Sequence, residues 1–384
     1  MRISKKVKEF LTKNNISYEI RNGQIYIDGD LDLRYEKLLP DGFNCVVTGY
    51  LYLSSLTSMN DVFNPTVGGY LDLRSLTSMN DVFNPTVGDS LYLSSLTSMN
   101  DVFNPTVGGY LDLRSLTSMN DVFNPTVGGY LDLSSLTSMN DVFNPTVGGY
   151  LDLSSLTSMN DVFNPTVGGY LYLRSLTSMN DVFNPTVGGY LYLRSLTSMN
   201  DVFNPTVGDS LYLSSNLKKK VKVNKPTENI REKLRKEIEP KLVWQDGKYR
   251  KIDGIFCEIL SRKGNTLKVK TRNKIAYIFT KDGIYSHGKT VKQAYRDWLF
   301  KTSPRDMEAY ENLKKDDVKD LNFWVICYRT ITGACSFGTE NFLEQTQAKI
   351  KNKMTLREVI KVTQGQYGSN TFVEFFKQKE YGNE

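Results

Sequence analysis

The sequence predicts a repeat solenoid: a leucine-rich-like β-solenoid of 20-residue coils, with a capping N-terminal α/β element and a C-terminal α+β domain. Three observations predict it. The phrase Ser-Leu-Thr-Ser-Met-Asn-Asp-Val-Phe-Asn-Pro-Thr-Val-Gly begins at Ser55 and returns every 20 residues as far as Ser195, eight copies that follow a degenerate ninth unit over 31–48. A fixed period of this length marks units with an apolar side that none can bury alone, so neighbours stack. Within a unit, Tyr70-Leu71-Asp72-Leu73-Arg74 alternates polar and apolar, the period of a half-buried strand. Charge divides along the same lines: residues 49–215 hold 14 Asp and 4 Arg with no Lys or Glu, net −10, against +1 for 1–48 and +15 for 216–384. An acidic array joined to a basic remainder invites two different partners, or one partner with both signs.

These shifts divide the chain into an N-terminal cap (1–48), the solenoid (49–215), a basic linker and helix (216–241) and an α+β domain (242–384). In the cap, Val7, Phe10 and Leu11 have helical spacing over Lys5–Asn14. Tyr18–Ile20 and Gln24–Ile27 alternate around Asn22-Gly23, a tight-turn pair. A terminal coil needs such a cover for its open apolar end.

In each coil Leu71 and Leu73 are expected to point inward and Tyr70, Asp72 and Arg74 outward. Leu76, Met79, Val82, Phe83 and Val87 are expected to complete the lining. Gly68-Gly69 and Asn84-Pro85 supply turn chemistry, because glycine reaches positive φ and proline fixes φ. Strand stacking at about 4.8 Å gives an array on the order of 40 Å long.

The unit Leu71-x-Leu73-x-x-Leu76-Thr77-Ser78-Met79, introduced by Val67-Gly68-Gly69, resembles bacterial and phage leucine-rich-type repeats over residues 31–215. It departs from them in having no Asn after the strand and a shorter path to Leu76, so a straighter β-solenoid stands beside the horseshoe. The segments Tyr285–Thr290, Tyr328–Cys335 and Gly365-Gln-Tyr-Gly resemble a C-terminal domain of phage-encoded proteins, which implies a mobile-element origin and no particular activity.

Beyond the array, Lys218, Lys219, Lys220, Lys222 and Lys225 form a basic run. It reads as a solvated linker whose lysines stop the sheet from growing, or as a contact for nucleic-acid phosphate or an acidic protein surface. A helix is expected near Glu228–Glu239. In 242–384, Ile255–Leu260, Leu267–Lys270 and Ile275–Phe279 read as antiparallel strands and Val291–Phe300 as a helix capped by Thr290. Phe323–Tyr328 suits either a strand or a helix.

No apolar run is long enough for a membrane span, and Met1-Arg-Ile-Ser-Lys-Lys lacks a signal core. Four scattered cysteines without CxxC spacing argue against a disulfide framework or a zinc ribbon. A cytoplasmic protein of a bacterial host, needing no cofactor or metal, is the expectation.

Copies of the unit differ only at outward strand positions and in the preceding turn, which reads as surface drift or as a recognition surface shuffled by duplication. The candidate binding residues are Tyr70, Asp72, Arg74, Tyr92, Asp112, Arg114, Asp132, Asp152, Tyr172, Arg174, Tyr192 and Arg194. Tyrosine and arginine are enriched where binding energy concentrates. The expected function is a non-enzymatic interaction scaffold, a phage-encoded inhibitor of a host defence complex, with a ribonucleoprotein among the candidate partners and the Asp ladder imitating a phosphate backbone.

Three other chemistries are open in the C-terminal domain. Gly283-Ile-Tyr-Ser-His-Gly288-Lys289-Thr290 matches the phosphate-loop pattern, although Ile284 and Tyr285 are bulky for it and a hairpin followed by a capped helix is the favoured reading. His287 and Cys335 would form a nucleophilic pair if they met, with Asp297 or Asn370 orienting the imidazole. Lys289, Arg296, Arg329 and Lys301, interleaved with Tyr285, Tyr295, Trp298 and Tyr328, would line a nucleic-acid groove together with Lys218, Lys219 and Lys220.

Overall fold

The computed structural model describes residues 3–21, 23–217, 221–244, 247–271, 274–346, 350–364 and 366–377. Lys218, Lys219 and Lys220 therefore lie outside the described residues. The chain divides into two compact units, Met1–Ile252 and Asp253–Glu384.

The first unit is a parallel β-solenoid of about 20-residue coils. Each coil contributes two strands of two or three residues. The Leu-x strands (Leu31–Asp32 to Leu211–Leu213) form a ten-stranded sheet. The Thr-Val strands, ending at Thr206–Val207, belong to an eleven-stranded sheet. Register is a shift of one period, so Leu111 stands opposite Leu131 and Val107 opposite Val127. The Leu71 and Leu73 amides donate to the Ser90 and Tyr92 carbonyls at 2.8 and 2.9 Å, and the pattern recurs along the stack.

Identical residues meet themselves inside. Leu71, Leu73, Leu76, Phe83 and Val87 are buried, as are their counterparts. The phenylalanines stack from Phe43 to Phe203 at centroid spacings of 5.9 to 6.4 Å. Met79 packs partly buried against this core. Val82 does not line it: the eight equivalent valines, Val62 to Val202, are 47 to 60% exposed. The reason is Asn80, whose Oδ1 accepts from the Val82 amide while its Nδ2 donates to the Asn60 and Phe63 carbonyls at 2.6 and 3.0 Å. The asparagine ties one coil to the last and turns Asp81-Val82 outward as a corner. Asn84 is tied in as well, its amide donating to Asn64 Oδ1 at 3.0 Å.

Both ends are covered. Helix α1 (Lys5–Lys13), capped by Ser4, buries Val7, Phe10 and Leu11, and Phe10 meets Phe43 edge-on at 5.4 Å. Strands Glu19–Arg21 and Gln24–Ile27 pair antiparallel, and the second starts the Thr-Val sheet against Cys45–Val47. At the other end Val221 and Val223 pack on the core, and Asn224 bonds the last Thr-Val strand as a further coil would, giving its carbonyl to the Val207 amide at 2.9 Å.

The chain then doubles back along the Thr-Val sheet. Helix α2 (Ile230–Ile238), capped by Asn229, turns Ile230 and Ile238 toward a row of glycines. A Cβ on Gly148 or Gly188 would come within 3.3 or 3.4 Å of these isoleucines and closer still to the preceding coil's carbonyl, so only glycine fits under the helix. After α2, Val243–Trp244 pairs antiparallel with Tyr249–Ile252. Trp244 and Lys251 reach Thr106 and Gly108. The compact unit that holds the solenoid runs to Ile252.

The second unit starts with four antiparallel strands, Ile255–Lys263, Thr266–Thr271, Lys274–Lys281 and Ile284–Gly288. Helix α3 (Val291–Thr302), capped by Thr290, follows. Phe323–Tyr328 lies within helix α4 (Leu321–Thr332), which Asp320 opens and Gly333 closes in the left-handed region. Helices α5 (Ser336–Gln345), α6 (Leu356–Val362) and α7 (Ser369–Lys377) complete the unit. Trp324, Cys327, Ile331, Leu356, Val359 and Phe372 form its helical core.

Candidate functional site

The outward side of the Leu-x sheet carries the residues that vary between copies. Tyrosine rings stand half-buried there and form an unbroken row from Tyr50 to Tyr212, with successive centroids 4.4 to 5.9 Å apart. Where Ser90 and Ser210 replace the usual tyrosine, the row passes through Tyr92 and Tyr212 on the strand itself. Tyr92 meets Tyr70 and Tyr110 edge-on at 5.9 and 5.6 Å. Aromatic pairs favour such offset and T-shaped contacts.

The arginine of a coil adapts to the residue two positions before it. Beside Asp72 and Asp112, Arg74 and Arg114 form two-pronged pairs with N–O distances of 2.8 and 2.9 Å. Where tyrosine replaces aspartate, Arg174 lies over Tyr172 and Tyr192 at 4.9 and 5.6 Å, and Arg194 over Tyr212 at 5.2 Å. The guanidinium thus finds an anion or a π face in either type of coil.

The carboxylates differ from expectation. Asp72, Asp112 and Asp132 are on the outward side but buried beneath their neighbours. Asp132 accepts from the Tyr110 hydroxyl at 3.1 Å and the Ser134 amide at 3.1 Å. Asp152 accepts from the Tyr130 hydroxyl at 3.4 Å and the Ser154 amide at 2.9 Å. Burial pushes the Tyr110 and Tyr130 hydroxyls upward, with Asp132 adding to it, so both remain donors at neutral pH. The face is one of phenol rings and guanidinium groups over internally bonded acids. A row of carboxylates open to solvent runs along the corner, Asp61 to Asp201, beside the exposed valines. Sequence reasoning missed this row because it placed Val82 inside.

In the second unit, Ile284–Gly288 is a strand paired to Lys274–Lys281, not a loop that could wrap a phosphate. Thr290 caps α3, accepting from Gln293, and Lys289 pairs with Glu340 at 2.6 Å. Of the two readings of this motif, the structure has the hairpin strand followed by a capped helix and not the phosphate loop.

His287 and Cys335 do come together, but through the wrong atoms. Cys335 caps α5, its Sγ accepting from the Gly338 amide at 3.3 Å and also from the backbone N–H of His287. The imidazole instead lies nearly parallel to the Phe337 ring at 6.1 Å, fully buried, and neither ring nitrogen has a hydrogen-bond partner among the described residues. No base sits on the thiol, and burial pushes the Cys335 thiol up. Asp297 is taken by Arg329 at 2.9 Å and by the Ser336 amide and hydroxyl, and Asn370 is exposed on α7. The nucleophilic pair is not assembled.

Of the basic residues expected to line a nucleic-acid groove, Lys289 and Arg329 are paired to carboxylates, as is Lys301 to Asp253 at 2.8 Å. Tyr328 is buried, its hydroxyl donating to the Tyr367 carbonyl at 2.7 Å. Arg296 alone of the four stays exposed without an ion pair among the described residues. Also among the described residues, no group of His, Cys, Asp and Glu could hold a metal ion, and no helix is long and apolar enough to cross a membrane. No family model matches the chain, and no curated protein or solved structure is significantly similar to it.

Proposed function

We propose that the protein is a non-enzymatic interaction scaffold that recognises a protein partner through the tyrosine row of its solenoid. The observation that carries this reading is the continuity of the row from Tyr50 to Tyr212, kept even where two coils lack the usual tyrosine. Tyrosines ordered by their neighbours lose little entropy on binding, and Arg174 and Arg194 are held over rings as further contacts. The opposite sheet carries α2 and Trp244 along its later coils and is not free there. The narrower assignment, a phage-encoded inhibitor of a bacterial defence complex, is supported by the resemblance of the repeats and of the C-terminal segments.

The test is affinity purification of the full chain from host cells, alongside a Tyr130→Ser, Tyr150→Ser, Tyr170→Ser variant. A Val122→Ser, Val142→Ser, Val162→Ser variant of the corner serves as control. A partner lost only by the tyrosine variant supports the reading. A partner kept by that variant and lost by the corner variant moves recognition to the Asp-Val corner and overturns it.

A further inference from the structure

We propose that the Asp253–Glu384 unit carries a binding platform for single-stranded nucleic acid on the sheet face beside α3. Alternation along Thr266–Thr271 and Lys274–Lys281 buries Leu267, Val269, Ala276 and Ile278, and sends Lys268, Tyr277 and Phe279 to the other face. The register sets Lys268 opposite Tyr277. Phe279 meets two rings of α3, Tyr295 at 5.0 Å and Trp298 at 5.4 Å, and these lie within 10° of parallel to each other. Tyr295 is 44% exposed, on a helix stripe with Val291 and Leu299, which are also open to solvent.

Charge marks the same place. Lys268, Lys281, Lys292 and Arg296 are exposed, and none of the four is in an ion pair among the described residues. Lys281 lies 5.9 Å from the Trp298 ring centre. Lys292 and Arg296 are one turn apart on α3, about 6 Å along its axis. Lys274, Lys289, Lys301, Arg329, Lys351 and Arg357 of the same unit each hold a carboxylate instead. The one acid in the adjoining turn, Asp282, is itself exposed. Unneutralised cations around open aromatic rings suit a ligand with negative charges and flat apolar faces. Single-stranded nucleic acid offers both, phosphates to the cations and bases to the rings, whereas a duplex keeps its bases stacked inside. This placement is independent of the solenoid reading and replaces Lys289 and Arg329 by Lys268, Lys281 and Lys292.

The experiment is fluorescence anisotropy of the full chain with a labelled 20-nucleotide oligo-dT, oligo-U and a DNA duplex at 50 and 200 mM salt. Tyr295→Ala, the double variant Lys292→Glu, Arg296→Glu, and the control Lys351→Glu are measured in parallel, with circular dichroism to confirm folding. The expected result is binding of the single strands above the duplex. Every phosphate-binding cation removed from the platform lowers the salt slope by about 0.7. Tyr295→Ala weakens binding roughly 5- to 150-fold, the range of one base–aromatic stack. The charge reversal weakens it further, and Lys351→Glu leaves it unchanged. Absence of binding at 50 mM salt overturns the proposal. So does tighter binding of the duplex, affinity indifferent to Tyr295→Ala, or equal competition by poly-glutamate, which would assign the face to an acidic protein.

Discussion

The indole of Trp244 donates a hydrogen bond to the carbonyl of Thr106, 3.3 Å away and 138 residues earlier in the chain. Nearby, the ammonium of half-buried Lys251 donates to the Gly108 carbonyl at 3.2 Å. These bonds fasten the returning segment to one particular coil, after Asn224 has closed the last one and α2 has crossed the glycine row. Burial pushes Lys251 below its usual value, with Asp89 and Glu239 opposing that shift.

Replacing this indole tests the fastening. Trp244→Phe keeps an aromatic ring but removes the donor, and should cost about 1 kcal/mol, the net worth of one hydrogen bond. Trp244→Ala, which also empties a buried site, should cost about 3 to 5 kcal/mol. Urea midpoints of the three proteins read the difference, and equal midpoints for Trp244→Phe and the parent would show that the bond contributes nothing.

Asn120 should matter more than its polar side chain suggests. Its Nδ2 donates to the Asn100 and Phe103 carbonyls at 2.6 and 3.1 Å, and its Oδ1 accepts from the Val122 amide at 3.1 Å. Asn120→Ala strips partners from three backbone groups and should destabilise the unit by roughly 2 to 4 kcal/mol. Asn120→Asp, which keeps the acceptor but sets a carboxylate oxygen against the two carbonyl oxygens, should cost at least as much. Val122→Ser, at the exposed corner beside it, should change stability by less than about 0.5 kcal/mol. Thermal unfolding of the four proteins ranks them.

His287 gives the second unit an acid limit. Burial pushes its imidazole down to about 4, helped by Lys301 and opposed by Asp253. The unfolded chain takes up the proton near pH 6.5 and the folded chain only near 4. Stability is therefore complete above about pH 6.5 and is lost as pH falls from there toward about 4, by about 3 kcal/mol from this group. His287→Phe, which keeps a ring beside Phe337, should flatten that decline. Denaturant midpoints at pH 7.0 and 4.5 measure it; a variant with the same acid loss as the parent would exclude His287 as the cause.

Much of the coil was legible because one period repeats the same local rule. Leu71 and Leu73 alternate with polar residues, and their burial follows from that alternation alone. Val82 was misplaced because its direction is set by Asn80, a residue bonded to the preceding coil rather than to its own neighbours in sequence. The Thr86–Val87 strand was not read as one because two residues carry no alternation. Helix α4 could not be told from a strand by periodicity; Asp320 and Gly333 at its ends decide it. The His287–Cys335 meeting was open from residue types, but which atoms meet depends on the ring turning to Phe337. The platform beside α3 was half visible: Arg296 and Tyr295 were in view, whereas Lys268 joins them only through strand register.

Because the coils are near copies, the fastening of Trp244 and Lys251 indexes the stack from its C-terminal end. Unequal recombination that removes a whole unit between Gly108 and Thr206 would leave the returning chain the same number of steps to climb, and it would land on the equivalent carbonyl one coil earlier. The molecule can therefore change its gauge in increments of 20 residues while everything downstream keeps its footing, and the number of rungs it offers becomes a quantity that selection can adjust without redesigning either end.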